Sequence, residues 1–296
     1  MDWKEELSAV CRDVVFGEDM KKHTSFRIGG AAEAMAVPQT AEEAASVMRF
    51  CRSRGLPLNI IGNGSNLLVS DDGIRGVVMR LNAMCKTRIE GEEVYAQSGI
   101  LLSSLANRAA EAGLSGLEFA AGIPGTLGGG IFMNAGAYGG ELKDVIVSVE
   151  YLDEDGRLCT AGAEELDLGY RHSMFSDRKC AVMSCRMRLK KGDTEAIRAE
   201  MAELSRRRRE KQPLELPSAG STFKRPPGHF AGKLIQDAGL SGYSVGGAQV
   251  SVKHAGFVVN TGEATAADVL ALIAHVQKTV KDKFGVDLEP EVRIIK

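Results

Sequence analysis

The stretch Gly116-Leu117-Glu118-Phe119-Ala120-Ala121-Gly122-Ile123-Pro124-Gly125-Thr126-Leu127-Gly128-Gly129-Gly130-Ile131-Phe132-Met133-Asn134-Ala135-Gly136-Ala137-Tyr138-Gly139-Gly140 decides how this chain is read. From Phe119 to Gly140 it carries no charged residue, and eight of those 22 positions are glycine. An uncharged run of that length has the reach of a membrane span. The glycines, with Pro124 and Asn134 among them, cost too much helix stability for that reading. Close packing of helix on sheet rarely needs so many glycines either. Bare backbone lets a ligand approach closely. Uncharged walls suit a large flat cofactor, and backbone N–H groups suit its phosphates. Pro124 suits the first turn of a helix.

A second glycine segment, Gly62-Asn63-Gly64-Ser65-Asn66, lies about sixty residues upstream. It joins two short apolar runs, Leu58–Ile61 and Leu67–Val69, that read as strands. Alone it fits a tight turn as well as a nest of N–H groups around an anion. It is neither a G-x-G-x-x-G opening a helix nor a Walker A loop. Two such segments, each flanked by strands, suggest one ligand long enough to touch both. A dinucleotide is the natural candidate.

Further out, residues 2–12 read as a short amphipathic helix with no apolar h-region behind it, so no secretory leader is expected. Strand signals follow at 32–37. Thr40 with Glu43 forms a capping box for a helix that stops at Gly55. Strands are expected at 76–82, 86–90, 93–97, 145–152 and 181–189, and a helix at 102–112. Composition shifts near residue 192. A charged helix at 194–211, with Ile197, Met201 and Leu204 on one face, ends before Pro213. A helix at 229–238, two strands near 247–259, a helix capped by Thr265 and Asp268, and a last strand at 286–295 complete the chain. The fold class is α+β. The expected division is a strand-rich part over 1–190, with subdomains at about 1–83 and 84–190, and a compact α+β unit over 191–296.

Composition narrows the function. The 296 residues carry 34 glycines and a formal net charge of −2, from 37 basic and 39 acidic side chains. That balance gives no electrostatic case for nucleic acid or an anionic membrane. Arg206–Arg209 is a basic run, but with Glu200, Glu203 and Glu210 nearby it reads as a solvated helix face. The six cysteines include no C-x-x-C pair and read as reduced thiols of a cytoplasmic protein. Five scattered histidines without an H-E-x-x-H or Cys/His cluster argue for no metal.

The order of motifs resembles one family. It runs His23-Thr-Ser-Phe-Arg27-Ile-Gly-Gly30, Gly62–Asn66, Gly122-Ile-Pro-Gly125 through Asn134-Ala-Gly136, and Tyr170-Arg171-His-Ser173. It continues with Ser218-Ala-Gly-Ser221-Thr-Phe-Lys224, Ala231-Gly-Lys233-Leu-Ile235 and Leu288-Glu-Pro-Glu291-Val-Arg293. This series over residues 20–296 resembles the UDP-N-acetylenolpyruvoylglucosamine reductases. The Phe223-Lys-Arg-Pro226 variant and the short spacing from Tyr170 to Ser221 look like the shorter subclass, which lacks a substrate-covering loop with a tyrosine. The resemblance implies an FAD-binding domain of the vanillyl-alcohol-oxidase (PCMH) type followed by a substrate-binding domain. It implies non-covalent FAD along Gly62, Asn63, Gly64, Ser65, Asn66, Gly122, Pro124, Gly125, Thr126, Gly129, Asn134 and Gly136. NADPH would be the hydride donor and a nucleotide sugar the substrate, in peptidoglycan precursor synthesis.

The implied chemistry asks for particular side chains. Hydride addition to an enol ether conjugated to a carboxylate builds negative charge that spreads into that carboxylate. A fixed cation, a proton donor and an orienting partner are needed. By resemblance these are Arg171, Ser221 and Glu291. Glu289 would share the strand face of Glu291, and the sequence leaves open which of the two points inward. For the substrate pyrophosphate, Lys211, Lys224, Arg225 and Lys233 are available. Alternatives are another flavin oxidoreductase of the same fold and a non-catalytic nucleotide-sugar binding protein.

Overall fold

The computed structural model describes residues 2–296. Its seven α-helices among the described residues are α1 (Trp3–Val10), α2 (Ala41–Arg54), α3 (Leu102–Glu111), α4 (Leu127–Phe132), α5 (Thr194–Lys211), α6 (Ala231–Asp237) and α7 (Ala266–Phe284). Local chemistry sets their ends. Thr40 accepts the Glu43 N–H at the start of α2, and Gly55 ends that helix in the left-handed region. Thr265 and Asp268 form the capping box of α7, and Gly285 terminates it at φ 70°.

The chain forms two compact units, and neither is continuous in sequence. One comprises Met1–Phe16, Ala34–Asn63 and Gly76–Arg208; the other comprises Gly17–Glu33, Gly64–Arg75 and Arg209–Lys296. The single cut expected at 190/191 therefore differs from the compact units. Two short segments of the first quarter pack with the C-terminal part.

In the first unit Leu58–Ile61 runs parallel to Val77–Arg80. A five-stranded antiparallel sheet has the order Leu158–Gly162, Ile146–Leu152, Ala181–Arg188, Glu93–Gln97, Thr87–Glu90. Two cores result. One joins Leu7, Val47, Met48, Val77 and Met79 with Leu152 and Met183. The other joins Leu102 and Leu105 of α3 with Leu127 and Ile131 of α4, Val149, Met187, and Ile197 and Met201 of α5. The glycine-rich stretch is thus anchored by its apolar members and by Gly130, which is buried between Leu102 and Leu142, while Gly129 is exposed.

The second unit carries an antiparallel sheet in the order Ser218–Ser221, Phe257–Asn260, Ala248–Val250, Ser244–Val245. Helix α7 lays Val269, Leu272, Ile273, Val276 and Val280 into a core with Val258, Phe26, Ile28 and Leu68. Each such side chain contributes roughly 1.5–3 kcal/mol on full burial. Leu67–Val69 pairs in parallel with Arg293–Ile295. The final strand is shorter than the 286–295 expected. Pro290 interrupts the ladder, since it has no N–H to donate, and Phe223↔Pro290 is an isolated bridge.

Asp71 ties the early segment to α7: its two carboxylate oxygens accept from Ala266 N at 2.8 Å and Ala267 N at 3.0 Å. Asp71→Ala is expected to destabilise the protein by about 1 kcal/mol, as for loss of a helix cap. Chemical denaturation reads this directly; an unchanged midpoint would remove the capping role. No helix is long and apolar enough to cross a membrane among the described residues.

Candidate active site

Gly62 and Asn63 leave the strand Leu58–Ile61 and meet the second glycine segment. Asn63 Nδ2 donates to Pro124 O at 2.7 Å. A Cβ on Gly62 would overlap Oγ1 of Thr126, so the two backbones meet only because that position is bare. Thr126 is 2% exposed and stands at the N-cap of α4 without a side-chain cap bond. The helix opens at Leu127, so Pro124 lies outside it in the preceding turn, contrary to the reading of Pro124 as a first-turn residue. Among the described residues, the N–H groups of Asn63, Gly125 and Gly129 donate to no protein acceptor. Unspent donors on small-residue backbone make a nest for phosphate oxygens. These residues fit the pyrophosphate of a dinucleotide.

The Asn134 side chain is engaged by the protein. It is 1% exposed. Its Nδ2 donates to Glu141 Oε2 and Gly169 O, both at 3.0 Å, and its Oδ1 accepts from Lys143 N at 3.0 Å. The Glu141 carboxyl lies below its ordinary pKa, mainly through Lys143, with Asn134 and the charge of Arg171 adding to the effect. Gly169 opens a tight turn closed by Gly169 N to His172 O at 3.1 Å, and its tip carries Tyr170 and Arg171. Arg171 has φ 55°, a left-handed conformation that costs an L-residue roughly 1–2 kcal/mol. Ser173, fully buried, donates to Phe132 O at 2.7 Å and fixes the turn to the end of α4. Asn134→Ala removes three hydrogen bonds, to partners that are partly exposed at Glu141 and Gly169 and exposed at Lys143, and is expected to cost about 1–3 kcal/mol. Urea unfolding measures it, and a cost under about 1 kcal/mol would contradict this accounting.

In the second unit, Gly64 has φ 64°, and a Cβ there would run into the carbonyl of His23. Asn66 Nδ2 donates to Glu291 O at 3.0 Å, and Arg293 N donates to Asn66 O at 3.0 Å. Glu291 N in turn donates to Thr222 O at 2.8 Å, and Lys224 N to Glu289 O at 2.8 Å. Main-chain bonds thus connect the loop at Asn66, the strand of Ser221 and the segment of Glu291. Ser221 follows an irregularity in register, with Gly220 at φ 78°. Its hydroxyl makes no hydrogen bond among the described residues.

The candidate cations differ in their engagement. Lys224 Nζ is 2.6 Å from Glu289 Oε1. Glu289, 68% exposed at its side chain, is therefore committed to Lys224, and Glu291 is the more buried of the two carboxylates. Lys233 pairs with Asp237, and Arg225 lies 3.8 Å over the Phe230 ring. Lys211 is exposed at the end of α5. The arginine run divides as well. Arg206 and Arg207 bond to Glu203 on the solvent side. Arg208 turns inward onto Gly122, so the solvated-face reading fails for it. Helical spacing held the signal, because 197, 201, 204 and 208 recur on one face. Among the described residues no cluster of His, Cys, Asp or Glu could hold a metal ion.

Comparison with known proteins covers both glycine segments and the C-terminal part. A family model for an FAD binding domain matches residues 32–162. A model for the UDP-N-acetylenolpyruvoylglucosamine reductase C-terminal domain matches residues 212–295. The reductase of that name from Caldanaerobacter subterraneus subsp. tengcongensis is 52% identical over 278 residues, 94% of this chain and 92% of the relative. The one from Clostridium botulinum is 52% identical over 283 residues, with coverage of 96% and 92%. The crystal structure of the Thermus caldophilus reductase aligns with a TM-score of 0.82 at 37% identity, over 96% of this chain and 98% of that one. Phl p 4, a glucose dehydrogenase, shares the fold alone, at TM-score 0.51 and 16% identity over 66% of this chain and 45% of its own. The chain belongs to the UDP-N-acetylenolpyruvoylglucosamine reductase family.

Proposed function

We propose that this chain reduces UDP-N-acetylglucosamine enolpyruvate to UDP-N-acetylmuramate for peptidoglycan precursor synthesis, in the cytoplasm, with FAD as cofactor and NADPH as donor. In reaction class it is an oxidoreductase acting on a CH–CH group with NADP as acceptor. The observation that carries the reading is the bond from Asn63 to Pro124, which draws two glycine segments into one bare-backbone cradle. Residues 1–190 serve FAD and residues 191–296 the substrate. When bound, FAD carries a hydride from NADPH to the methylene carbon of the enol ether.

The chain's own residues do the rest. Arg171 grips the substrate carboxylate with its planar fork and offsets the charge that develops there. Ser221 Oγ gives its proton to the adjacent carbon; an enolate carbon is basic enough to take it. Glu291 orients that transfer. Lys224 exchanges Glu289 for the substrate pyrophosphate, so Glu289 holds the ammonium in place until a stronger anion arrives. Lys211, Arg225 and Lys233 add positive charge to the same group.

An anaerobic two-step experiment tests this. The purified protein is expected to be yellow, to bleach with NADPH, and to recover its colour on addition of the enolpyruvate substrate. Bleaching without recovery would point to a different flavin oxidoreductase, and absence of flavin to a nucleotide-sugar binder.

A further inference from the structure

The turn that presents Arg171 is held, at one remove, by Glu141. Arg171 sits between Gly169 and His172 at φ 55°. The Gly169 carbonyl accepts from Asn134 Nδ2 at 3.0 Å, and the same amide nitrogen donates to Glu141 Oε2 at 3.0 Å. Asn134 Oδ1 takes the Lys143 N–H at 3.0 Å. A carboxylate on one side and an N–H on the other allow one orientation of this amide, the one that offers N–H to Gly169. Reversed, it would set oxygen against oxygen at both Glu141 and Gly169.

The backbone delivers Glu141 to this point. Gly136–Ala137 pairs with Gly140–Glu141 across a turn of Tyr138 and Gly139, at φ 54° and 96°. A Cβ on Gly136 would stand 2.6 Å from Glu141 Cγ, so the side chain crosses the hairpin only because its partner position is bare. Lys143 Nζ lies 2.8 Å from Glu141 Oε2. That contact is the main reason the carboxyl stays below its ordinary pKa, and the charge of Arg171 acts in the same direction. Glu141 is thus a carboxylate within electrostatic reach of the arginine assigned to a substrate carboxylate, and Lys143 engages it. An anion released beside Arg171 would compete with the substrate for the same fork.

We propose that Glu141 is a positioning residue for the substrate-carboxylate site: through Asn134 it sets the Gly169 carbonyl and the turn of Arg171, while Lys143 tethers it away from the guanidinium. The inference rests on the assignment of Arg171 to the substrate carboxylate proposed above. Glu141 itself touches no reacting group. Its effect comes through the placement of the fork, where an error of about 1 Å can cost on the order of 10²-fold.

Stopped-flow half-reactions and amide hydrogen exchange over residues 169–173 test this in the holoenzyme. The proteins compared are wild type, Glu141→Ala, Glu141→Gln, Lys143→Met and the double variant Glu141→Gln/Lys143→Met. Glu141→Ala is expected to lower kcat/KM for the enolpyruvate substrate by roughly tenfold or more. Reduction by NADPH should stay close to wild type, and exchange in the turn should quicken several-fold. Glu141→Gln keeps an oxygen for Asn134 and should recover most of both losses. Lys143 is exposed, and Lys143→Met releases the carboxylate. It should raise KM for the substrate several-fold with little change in kcat, and adding Glu141→Gln should reverse the rise. A Glu141→Ala protein with wild-type reoxidation overturns the proposal. So does a loss shared equally by both half-reactions, or a Glu141→Gln no better than Glu141→Ala. Should Glu141→Ala fail to fold, the lysine variants decide: no rise in KM, or a rise that Glu141→Gln leaves in place, also overturns it. If the enolpyruvate substrate does not reoxidise wild-type flavin, the functional reading falls. Exchange in the turn then still decides whether Glu141 holds it, and an unchanged rate in Glu141→Ala overturns that as well.

Discussion

Ser221→Ala is expected to leave reduction by NADPH close to wild type while slowing reoxidation by the enolpyruvate substrate by roughly 10²–10⁴-fold. The hydroxyl forms no hydrogen bond among the described residues, so its removal takes away the proposed proton donor without breaking a hydrogen bond of the fold. The strand around it keeps its own anchors. Thr222 N still donates to Gly256 O at 2.8 Å, and Thr222 Oγ1 still accepts from Val258 N at 2.9 Å. The melting temperature should therefore hold. Stopped-flow absorbance separates the two half-reactions, and parallel loss of both would refute the proton-donor role. Ser221→Cys, with a more acidic side chain, should recover part of the second step.

Gly64→Ala should be the most damaging single-methyl change. The added carbon would overlap the His23 carbonyl, standing 3.0 Å from His23 C and 3.1 Å from Thr24 Cα. All three are main-chain atoms, so no side chain can swing aside. The φ of 64° adds a left-handed penalty of roughly 1–2 kcal/mol. Forced backbone movement adds about 1–3 kcal/mol. The movement would travel, because Ser25 N donates to Gly64 O at 3.2 Å and Ser25 Oγ to Ser218 O at 2.6 Å. The expected result is a lower melting temperature and protein that purifies with little flavin. Gly139→Ala is the control: its added carbon meets nothing within 4 Å, leaving only the strain of φ 96°. Equal effects at the two positions would show that crowding at His23 is not the cause.

The sequence carried its local features well. The Thr40 and Thr265 caps and the stops at Gly55 and Gly285 are written within a few residues of where they act, and the structure has them. Misreadings arose where a distant partner decides. Val286, Leu288 and Val292 alternate like a strand, yet only Arg293–Ile295 finds a continuous neighbour, in Leu67–Val69. The strand Val14–Asp19 was missed, because its burial follows no alternation. At the candidate site, the glycine segments were legible but not the bond that joins them. The pairing of Glu289 with Lys224 spans 65 residues of sequence, and the inward turn of Arg208 was hidden among identical neighbours.

The discontinuity of the second unit bears on how the protein is made. Phe26, Ile28 and Leu68 leave the ribosome early, but most of their core partners lie beyond Ala219. At typical synthesis rates that is a wait on the order of ten seconds. Throughout it, a large phenylalanine and two aliphatic side chains have no finished core to enter. The first unit can close while translation continues, since its last core residue is Met201. The second must await the final residues, which include Leu288 and Val292. A chain released after about residue 210 would therefore display a first unit with its core residues in hand and two sticky segments without theirs, a natural substrate for chaperones and proteases.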